Sequence, residues 1–270
     1  MSVLLQVSDT HFGTERAPVV EALVQFAAAG RPDVVVLSGD ITQRARRAEF
    51  AAARRLAGRL GPSAILALPG NHDVPLFNVL ARGLHPYRRY AEAFGADLEP
   101  EHEAEDLLVL CVNTTRAYRH KHGEISAQQI ERVARRLQRC APHKLRLVAT
   151  HHPLHVPPGG DEANLVRGHR EAARAWAAAG ADLVMGGHIH LPFVRPLSER
   201  LPDLSRPLWV VQAGTAVSRR VRAGGEANSV NLVRYEPGGD PDGVTVERWD
   251  YEAAGKRFAM AQRLRLALSR

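Results

Sequence analysis

The sequence predicts an α/β protein with mainly parallel strands, and three observations lead to this fold class. Short runs rich in Val, Ile and Leu alternate with longer stretches rich in Ala, Arg and Glu, which is the pattern of βαβ units. The predicted strands are apolar throughout, as expected for strands buried on both faces. The 270 residues are 45% hydrophobic and 24% charged, which excludes a disordered or fibrous chain and fits one domain over residues 1–270.

The first two thirds of the chain supply the alternating elements. Pro18 suits the first turn of the first predicted helix, and Ser126 is a suitable N-cap for the third. In chain order, strands are predicted at residues 3–7, 34–37, 64–68, 107–112, 145–149 and 183–185. Helices are predicted at residues 17–29, 48–60, 126–139 and 163–179.

The pattern changes after Gly187, where strands are predicted at residues 208–212, 230–235 and 244–249. A turn rich in Pro, Gly and Asp at residues 236–243 indicates a hairpin rather than a crossover. Residues 74–105 are predicted to be a cap-like excursion from the core. Residues 256–270 predict a basic amphipathic helix, which could lie on anionic lipid or pack on the core or a partner subunit.

Five predicted strands are followed at once by Asp, Asn or His. The carboxyl ends of strands in an open α/β sheet line the edge where ligands bind, so these side chains are expected to meet there. The stretches are Asp9-Thr10-His11, Asp40, Asn71-His72-Asp73, His151-His152-Pro153 and His188-Ile189-His190.

These residue types supply oxygen and imidazole ligands without thiolate, a mixture that suits manganese, iron or zinc better than calcium. Seven candidates are too many for one tetrahedral ion, whereas two ions sharing a carboxylate fit this number. Two metals about 3.5–4 Å apart can deprotonate a water and assist displacement at phosphorus. The candidates are Asp9, His11, Asp40, Asn71, His151, His188 and His190.

Each motif alone also has a purely structural interpretation. A single histidine at a strand end is usually a surface or capped residue, and Gly70-Asn71 favours a turn. Five such motifs, all at strand ends, are harder to explain as turns, and we therefore favour the metal site.

The ordered motifs over residues 9–190 resemble the calcineurin-like metallophosphoesterases, and the chain looks like their bacterial class III cyclic nucleotide phosphodiesterase branch. The resemblance implies a four-layer αββα sandwich of two mixed sheets and two metal ions (Mn, Fe or Zn). It implies that Asp40 bridges the ions. One ion would be held by Asp9, His11, Asp40 and His190, and the other by Asp40, Asn71, His151 and His188.

The resemblance also implies roles around the metals. A metal-bridging hydroxide would attack phosphorus, and His72 would protonate the leaving oxygen or hydrogen-bond a phosphoryl oxygen. Asp73 would orient His72 or cap a helix. His151 is expected as the ligand because it stands two residues before Pro153, as in the family. By strand alternation, His152 is expected on the opposite face.

The predicted function is metal-dependent hydrolysis of a phosphodiester, most simply a cyclic nucleotide or similar small diester. A phospholipid or lipid-linked diesterase at the membrane surface is the alternative, favoured by the basic tail. A non-catalytic binding scaffold is a weaker alternative, because none of the seven ligands is missing. A nucleic-acid substrate is disfavoured because no long basic track is present, and a homo-oligomer is left open.

The net charge of +7 predicts an anionic partner, which a phosphodiester or an anionic membrane would satisfy. Arg219, Arg220 and Arg222 are candidates for a phosphate-contacting loop. Two cysteines without metal or disulfide spacing and an N-terminus without a signal-peptide pattern predict a reduced, cytoplasmic protein. A membrane-peripheral location is left open by the basic tail.

Overall fold

The computed structural model describes residues 1–61, 64–76, 78–222, 224, 227–238 and 243–269. Its strands are β1 (Ser2–Val7), β2 (Val34–Ser38), β3 (Ala64–Leu68), β4 (Glu101–Glu103), β5 (Leu107–Cys111), β6 (Leu145–Ala149), β7 (Leu183–Gly186), β8 (Phe193–Pro196), β9 (Trp209–Gln212), β10 (Ser229–Tyr235), β11 (Gly243–Glu252) and β12 (Arg257–Ala267). Its helices are α1 (Ala17–Gly30), α2 (Arg47–Arg59), α3 (Val79–Leu84), α4 (Arg88–Phe94), α5 (Ala127–Gln138) and α6 (His169–Ala178).

The strands form two mixed sheets. The first has the order β12-β11-β10-β1-β2-β3, and the second has the order β4-β5-β6-β7-β9-β8. In the first sheet β1, β2 and β3 are parallel, while β10, β11 and β12 join as antiparallel hairpins. In the second sheet β5, β6, β7 and β9 are parallel, and the edge strands β4 and β8 are antiparallel.

The sheets pack face to face, and helices cover their outer faces. Leu5 points from β1 into the cluster formed with α1 and α2, whereas its neighbour Leu4 points into the cluster between the sheets. The outer face of the second sheet packs against α5 and α6 around the buried Trp176. This arrangement confirms the predicted αββα sandwich and explains why the central strands are apolar on both faces.

Most predicted elements lie within a few residues of the observed ones, but the last predicted helix is shorter. Residues 163–179 split into a 3-10 turn at Glu162–Asn164 and helix α6. Gly168 has a left-handed φ of 84° at the start of α6, which ends helical continuity. As predicted, Ser126 caps α5: its hydroxyl accepts from Gln129 N at 3.2 Å.

The prediction of a helical tail was wrong. Residues 257–267 form strand β12, which pairs with β11 at the edge of the first sheet; residue 270 lies outside the described part. Apolar side chains recur at every second position, as in Phe258, Leu264 and Leu266, and this period of two belongs to a strand. Phe258 is buried in the cluster with α1 and Leu266 in the cluster between the sheets, so these apolar side chains pack on the protein itself.

The excursion at residues 74–105 contains α3, α4 and β4. Its second half joins the core: β4 extends the second sheet, and Tyr90 of α4 donates its hydroxyl to Ala67 O at 2.6 Å. Residues 239–242 of the predicted hairpin turn lie outside the described residues. Within the described residues, no helix is long and apolar enough to cross a membrane.

Candidate metal centre

All five polar strand ends meet at one edge of the sandwich, as their placement after parallel strands predicts. Backbone conformation marks this convergence, because five of these residues have left-handed φ angles that non-glycine residues rarely adopt. The angles are 51° for Asp9, 41° for His11, 46° for Asp40, 73° for His188 and 55° for His190. The chain therefore turns sharply after β1, β2 and β7 and directs these side chains into the shared site.

Glycines permit the close approach of these turns. A Cβ atom on Gly70 would overlap the backbone nitrogen of Asp40, and one on Gly187 would overlap the side chains of Ser8 and Asp9. With any other residue at position 70 or 187, neither loop could approach its neighbour this closely.

The first group of donors is formed by Asp9, His11 and His190. His190 Nε2 lies 3.2 Å from Asp9 Oδ1, and His11 Nε2 lies 3.1 Å from His190 Nε2. His190 donates its Nδ1–H to Arg220 O at 2.5 Å, which leaves Nε2 as the inward atom. A carboxylate oxygen and two imidazole nitrogens thus point at one small volume, as ligands of a shared cation do.

The second group contains Asp40, Asn71, His151 and His188. His151 donates Nδ1–H to Ser38 O at 2.9 Å, and its Nε2 lies 3.3 Å from Asp40 Oδ1. Asp40 Oδ2 faces the first group, 3.7 Å from His11 Nε2. Asp40 therefore stands between the two groups with one oxygen toward each.

Several buried atoms of the second group have no hydrogen-bond partner within the described part of the chain. They are Asn71 Oδ1, His151 Nε2 and both ring nitrogens of His188. Leaving buried polar atoms unpaired costs free energy. A cation with oxygen and nitrogen ligands would satisfy these atoms, so the donor set fits the metal ions implied by the resemblance.

The histidine charges also fit cation binding. Burial lowers the pKa of His11 to about 3 and holds that of His188 well below its ordinary value, so both rings are neutral, as ligands must be. Burial opposes protonation of His151 too, but Asp40 outweighs it and raises the pKa to about 9. A cation beside Asp40 would take the place of that proton.

His152 does not lie on the opposite face, as strand alternation predicted. The strand ends at Ala149, so alternation no longer applies, and the His152 ring lies 4.5 Å from that of His188. Its Nδ1 accepts from Thr114 Oγ1 at 2.7 Å, and its Nε2–H is donated to Lys121 O at 2.9 Å. Both ring nitrogens are thus engaged, in contrast to His151.

His72 lies beside the two groups. It donates its Nδ1–H to Gln43 O at 2.9 Å, and its Nε2 faces Arg220 Nη1 at 3.1 Å. The same Arg220 nitrogen lies 3.2 Å from Gln43 Oε1 and 3.4 Å from His11 Nδ1. A guanidinium therefore stands next to the donor groups, and the sequence had indicated this arginine loop only as a candidate.

Asp73 does not orient His72, because Gln43 O does. The Asp73 carboxylate accepts from the backbone of Ile41 at 3.0 Å, Thr42 at 2.7 Å and Gly70 at 2.9 Å. Burial raises its pKa to about 6, and the neighbouring Asp40 adds to this. Asp73 thus fixes the loop that carries Asp40 to the turn that carries Asn71.

An open cavity of about 490 Å³ leads to these groups. Its lining includes His120, Lys121, Asp161, Asn164 and Arg222. Of these five, the sequence had indicated only Arg222 as a candidate site residue. Arg222 Nη2 pairs with Asp161 Oδ2 at 2.7 Å. These residues come from loops without a motif, so only the folded chain brings them together.

A family model described as calcineurin-like phosphoesterase matches residues 2–192. The chain belongs to this family. It is 30% identical over 207 residues to the cAMP/cGMP dual specificity phosphodiesterase of Mycobacterium tuberculosis (strain CDC 1551 / Oshkosh), a match that covers 70% of this chain and 61% of that protein.

Solved structures support the fold. A dimetal phosphatase from Danio rerio is 14% identical with a TM-score of 0.68, and the match covers 99% of both chains. A purple acid phosphatase from yellow lupin (Lupinus luteus) seeds is 10% identical with a TM-score of 0.67, over 98% of this chain and 53% of that one.

Proposed function

We propose that this calcineurin-like phosphoesterase hydrolyses phosphodiesters with two metal ions. The observation that carries the proposal is the placement of Asp40, whose two carboxylate oxygens face two separate groups of inward-pointing nitrogen and oxygen atoms. Buried atoms of Asn71, His151 and His188 lack hydrogen-bond partners among the described residues, which supports a second ion in addition to the first.

The ligands follow from this geometry. The first ion would be held by Asp9, His11, Asp40 and His190, and the second by Asp40, Asn71, His151 and His188. When bound, two such ions activate a water and draw charge from the phosphoryl oxygens.

The protein's own side chains would act on the remaining atoms of the diester. Arg220, beside His72 and His11, would bind a phosphoryl oxygen and stabilise the charge that develops on it. His72 keeps its Nδ1–H on Gln43 O, so Nε2 faces the cavity. In its imidazolium form, with Arg220 bound to the phosphoryl oxygen instead of to Nε2, His72 would give the Nε2 proton to the leaving oxygen and become neutral. These roles require no contribution from Asp73 beyond holding the two loops.

A cyclic nucleotide or similar small diester is the proposed substrate. The cavity of about 490 Å³ falls in the size range of small-molecule sites, and the mycobacterial relative is named as a cAMP/cGMP phosphodiesterase. The match covers only about 61% of that relative. The proposed substrate therefore rests on the cavity of this chain together with the resemblance, and not on the relative's name alone.

The lipid-diester alternative has lost its original support, because the basic tail is an edge strand of the first sheet and not an amphipathic helix. The scaffold alternative is disfavoured because every one of the seven donors is present and points inward.

The decisive experiment is a substrate panel on Mn-reconstituted protein. It should include cyclic nucleotides, glycerophosphodiesters, phospholipids and an aryl phosphodiester, with the matching monoesters as controls. We expect turnover of diesters, with a cyclic nucleotide among the best. Hydrolysis of monoesters alone, or of nothing in the panel by protein that holds two metals, would overturn the proposal.

A further inference from the structure

Helix α3 has the reverse of the usual amphipathic arrangement. Its arginine, Arg82, is only 6% exposed, whereas Val79, Leu80 and Leu84 are 75%, 76% and 70% exposed. Large aliphatic side chains are seldom this exposed next to one another, and such clusters mark interaction sites.

The exposed side chains are held outward by buried contacts of the helix. Arg82 donates from Nε to Ala117 O at 2.6 Å and from Nη1 to Pro75 O at 2.9 Å. Asn78 caps the helix by accepting from Ala81 N at 2.9 Å. The apolar surface of α3 is thus a fixed feature of the fold.

This surface borders the mouth of the metal-centre cavity. Leu76, just before α3, is 39% exposed and also lines that cavity. Tyr118 and Val221, which are 69% and 40% exposed, stand on the two loops that carry Lys121 and Arg220 into the cavity wall. Among the described residues, the only large exposed apolar side chains outside α3, Leu76 and these two loops are Met1 and Met260.

The same segments are strongly basic. Residues 41–48, 74–76, 78–89, 114–123 and 213–222, called the basic segments below, contain no Asp or Glu. Four acidic neighbours, Glu49, Glu92, Glu124 and Asp161, pair with some of their cations, and positive charge remains in excess. Their twelve cations, of which only Arg82 is buried, are Arg44, Arg46, Arg47, Arg82, Arg88, Arg89, Arg116, Arg119, Lys121, Arg219, Arg220 and Arg222.

We propose that the α3 surface and the exposed cations of the basic segments dock the protein on an anionic lipid bilayer, with the cavity mouth at the border of the docked face. Aliphatic side chains framed by Arg and Lys are the combination that inserts at a headgroup boundary. A nucleic acid would match the charge but offers no aliphatic phase. A second copy would bring the same basic segments against each other, because a twofold interface pairs identical surfaces.

The test is co-sedimentation of the full chain with vesicles of phosphatidylcholine containing phosphatidylglycerol, compared with phosphatidylcholine alone. We expect binding to the anionic vesicles that weakens as salt is raised. The variant Val79→Ser/Leu80→Ser/Leu84→Ser should bind at least about tenfold more weakly, since three aliphatic groups no longer enter the interface. Met260→Ser, which removes an exposed apolar group from β12, should bind like the parent.

Charge is tested with a second matched pair. Arg46→Gln/Arg219→Gln should weaken binding by about tenfold or more, because each cation near an anionic surface contributes roughly fivefold. Arg55→Gln/Arg139→Gln removes two exposed cations outside the basic segments and should leave binding unchanged. Melting curves matching the parent show that the variants are folded.

Three outcomes would overturn the proposal. The parent fails to bind anionic vesicles, or the α3 variant binds as the parent does, or the control variants lose as much as the test variants. An α3 variant that dissociates an oligomer without changing vesicle binding would assign the surface to a second copy. Vesicle binding is measured without turnover, so it stands or fails independently of the proposed hydrolysis.

Discussion

Asp40 is the residue on which the candidate centre depends most. It lies two residues after β2 in a left-handed conformation and accepts from His72 N at 2.8 Å through the same oxygen that faces His151. Burial opposes ionisation of Asp40, but His151 and the other nearby imidazoles hold its pKa well below its usual range. It therefore offers a carboxylate to both donor groups.

We predict that Asp40→Asn keeps the shape of the side chain but binds fewer than two metals and loses almost all turnover, because an amide is a poor bridging ligand. Metal per chain, measured by mass spectrometry after reconstitution, checks this. Asp203→Asn, at an exposed ion pair with Arg174, is the control and should keep both metals. Two bound metals with parental turnover would contradict the bridging role.

His72 gives a second prediction at this scale. His72→Ala should retain both metals while lowering kcat on a diester with a poor leaving group by about 10²–10⁴-fold, as expected for loss of a general acid. An aryl diester with a good leaving group should lose much less. His102→Ala, on the edge strand β4, is the control. Equal losses across a leaving-group series would argue against proton donation.

The donors could be predicted from the sequence because each follows a recognisable strand, and parallel strands bring their ends together. The residues that surround the donors could not be predicted in this way. Arg220 reaches His72 only because its loop folds over the site, and Gln43 orients His72 through a backbone oxygen that carries no sequence signal. Asp73 follows His72 in sequence, but its carboxylate is bound by backbone N–H groups of neighbouring loops, which carry no sequence signal either.

At the scale of elements, β12 shows how a short pattern was misread. Its alternating Arg and Leu residues have a net basic, amphipathic character in either conformation, and only the period distinguishes strand from helix. The outer residues also have partners: Arg263 donates to Glu247 Oε1 on β11 from Nε at 2.9 Å and from Nη2 at 2.6 Å. Glu247 is fully buried, so β12 supplies its main counter-charge.

We predict that Arg263→Ala lowers the free energy of unfolding by about 1.5–3 kcal/mol, because a buried carboxylate loses a cation that donates two hydrogen bonds to it. Urea unfolding measures this change. Arg257, like Arg263, lies on β12, and it forms an exposed pair with Glu252 of β11. Arg257→Ala removes this pair and should cost less than about 1 kcal/mol. A loss no larger than that of the control would mean that Arg234, 3.6 Å from Glu247, suffices.

At the scale of the whole molecule, the net charge of +7 is not spread evenly. The basic segments alone carry more positive charge than the chain as a whole, so the remaining residues include an excess of Asp and Glu. On α5, for example, Arg132 pairs with Glu99 and Arg136 with Glu103, and this basic helix face is largely neutralised. The fold thus concentrates positive potential where an anionic substrate would enter.

The candidate metal centre also joins the two sheets, because Asp9 and Asp40 follow strands of the first sheet and His151 and His188 follow strands of the second. A cation bound only by the folded chain must therefore stabilise the whole sandwich. We predict that removing metal with a chelator lowers Tm by about 5–10 °C, given about 2.7 kcal/mol at a hundredfold excess over Kd and roughly 2–4 °C per kcal/mol at this size. Calorimetry with and without Mn measures the shift, and Asp40→Asn should abolish most of it. An unchanged Tm in the parent would show that the donors do not hold a cation across the two sheets.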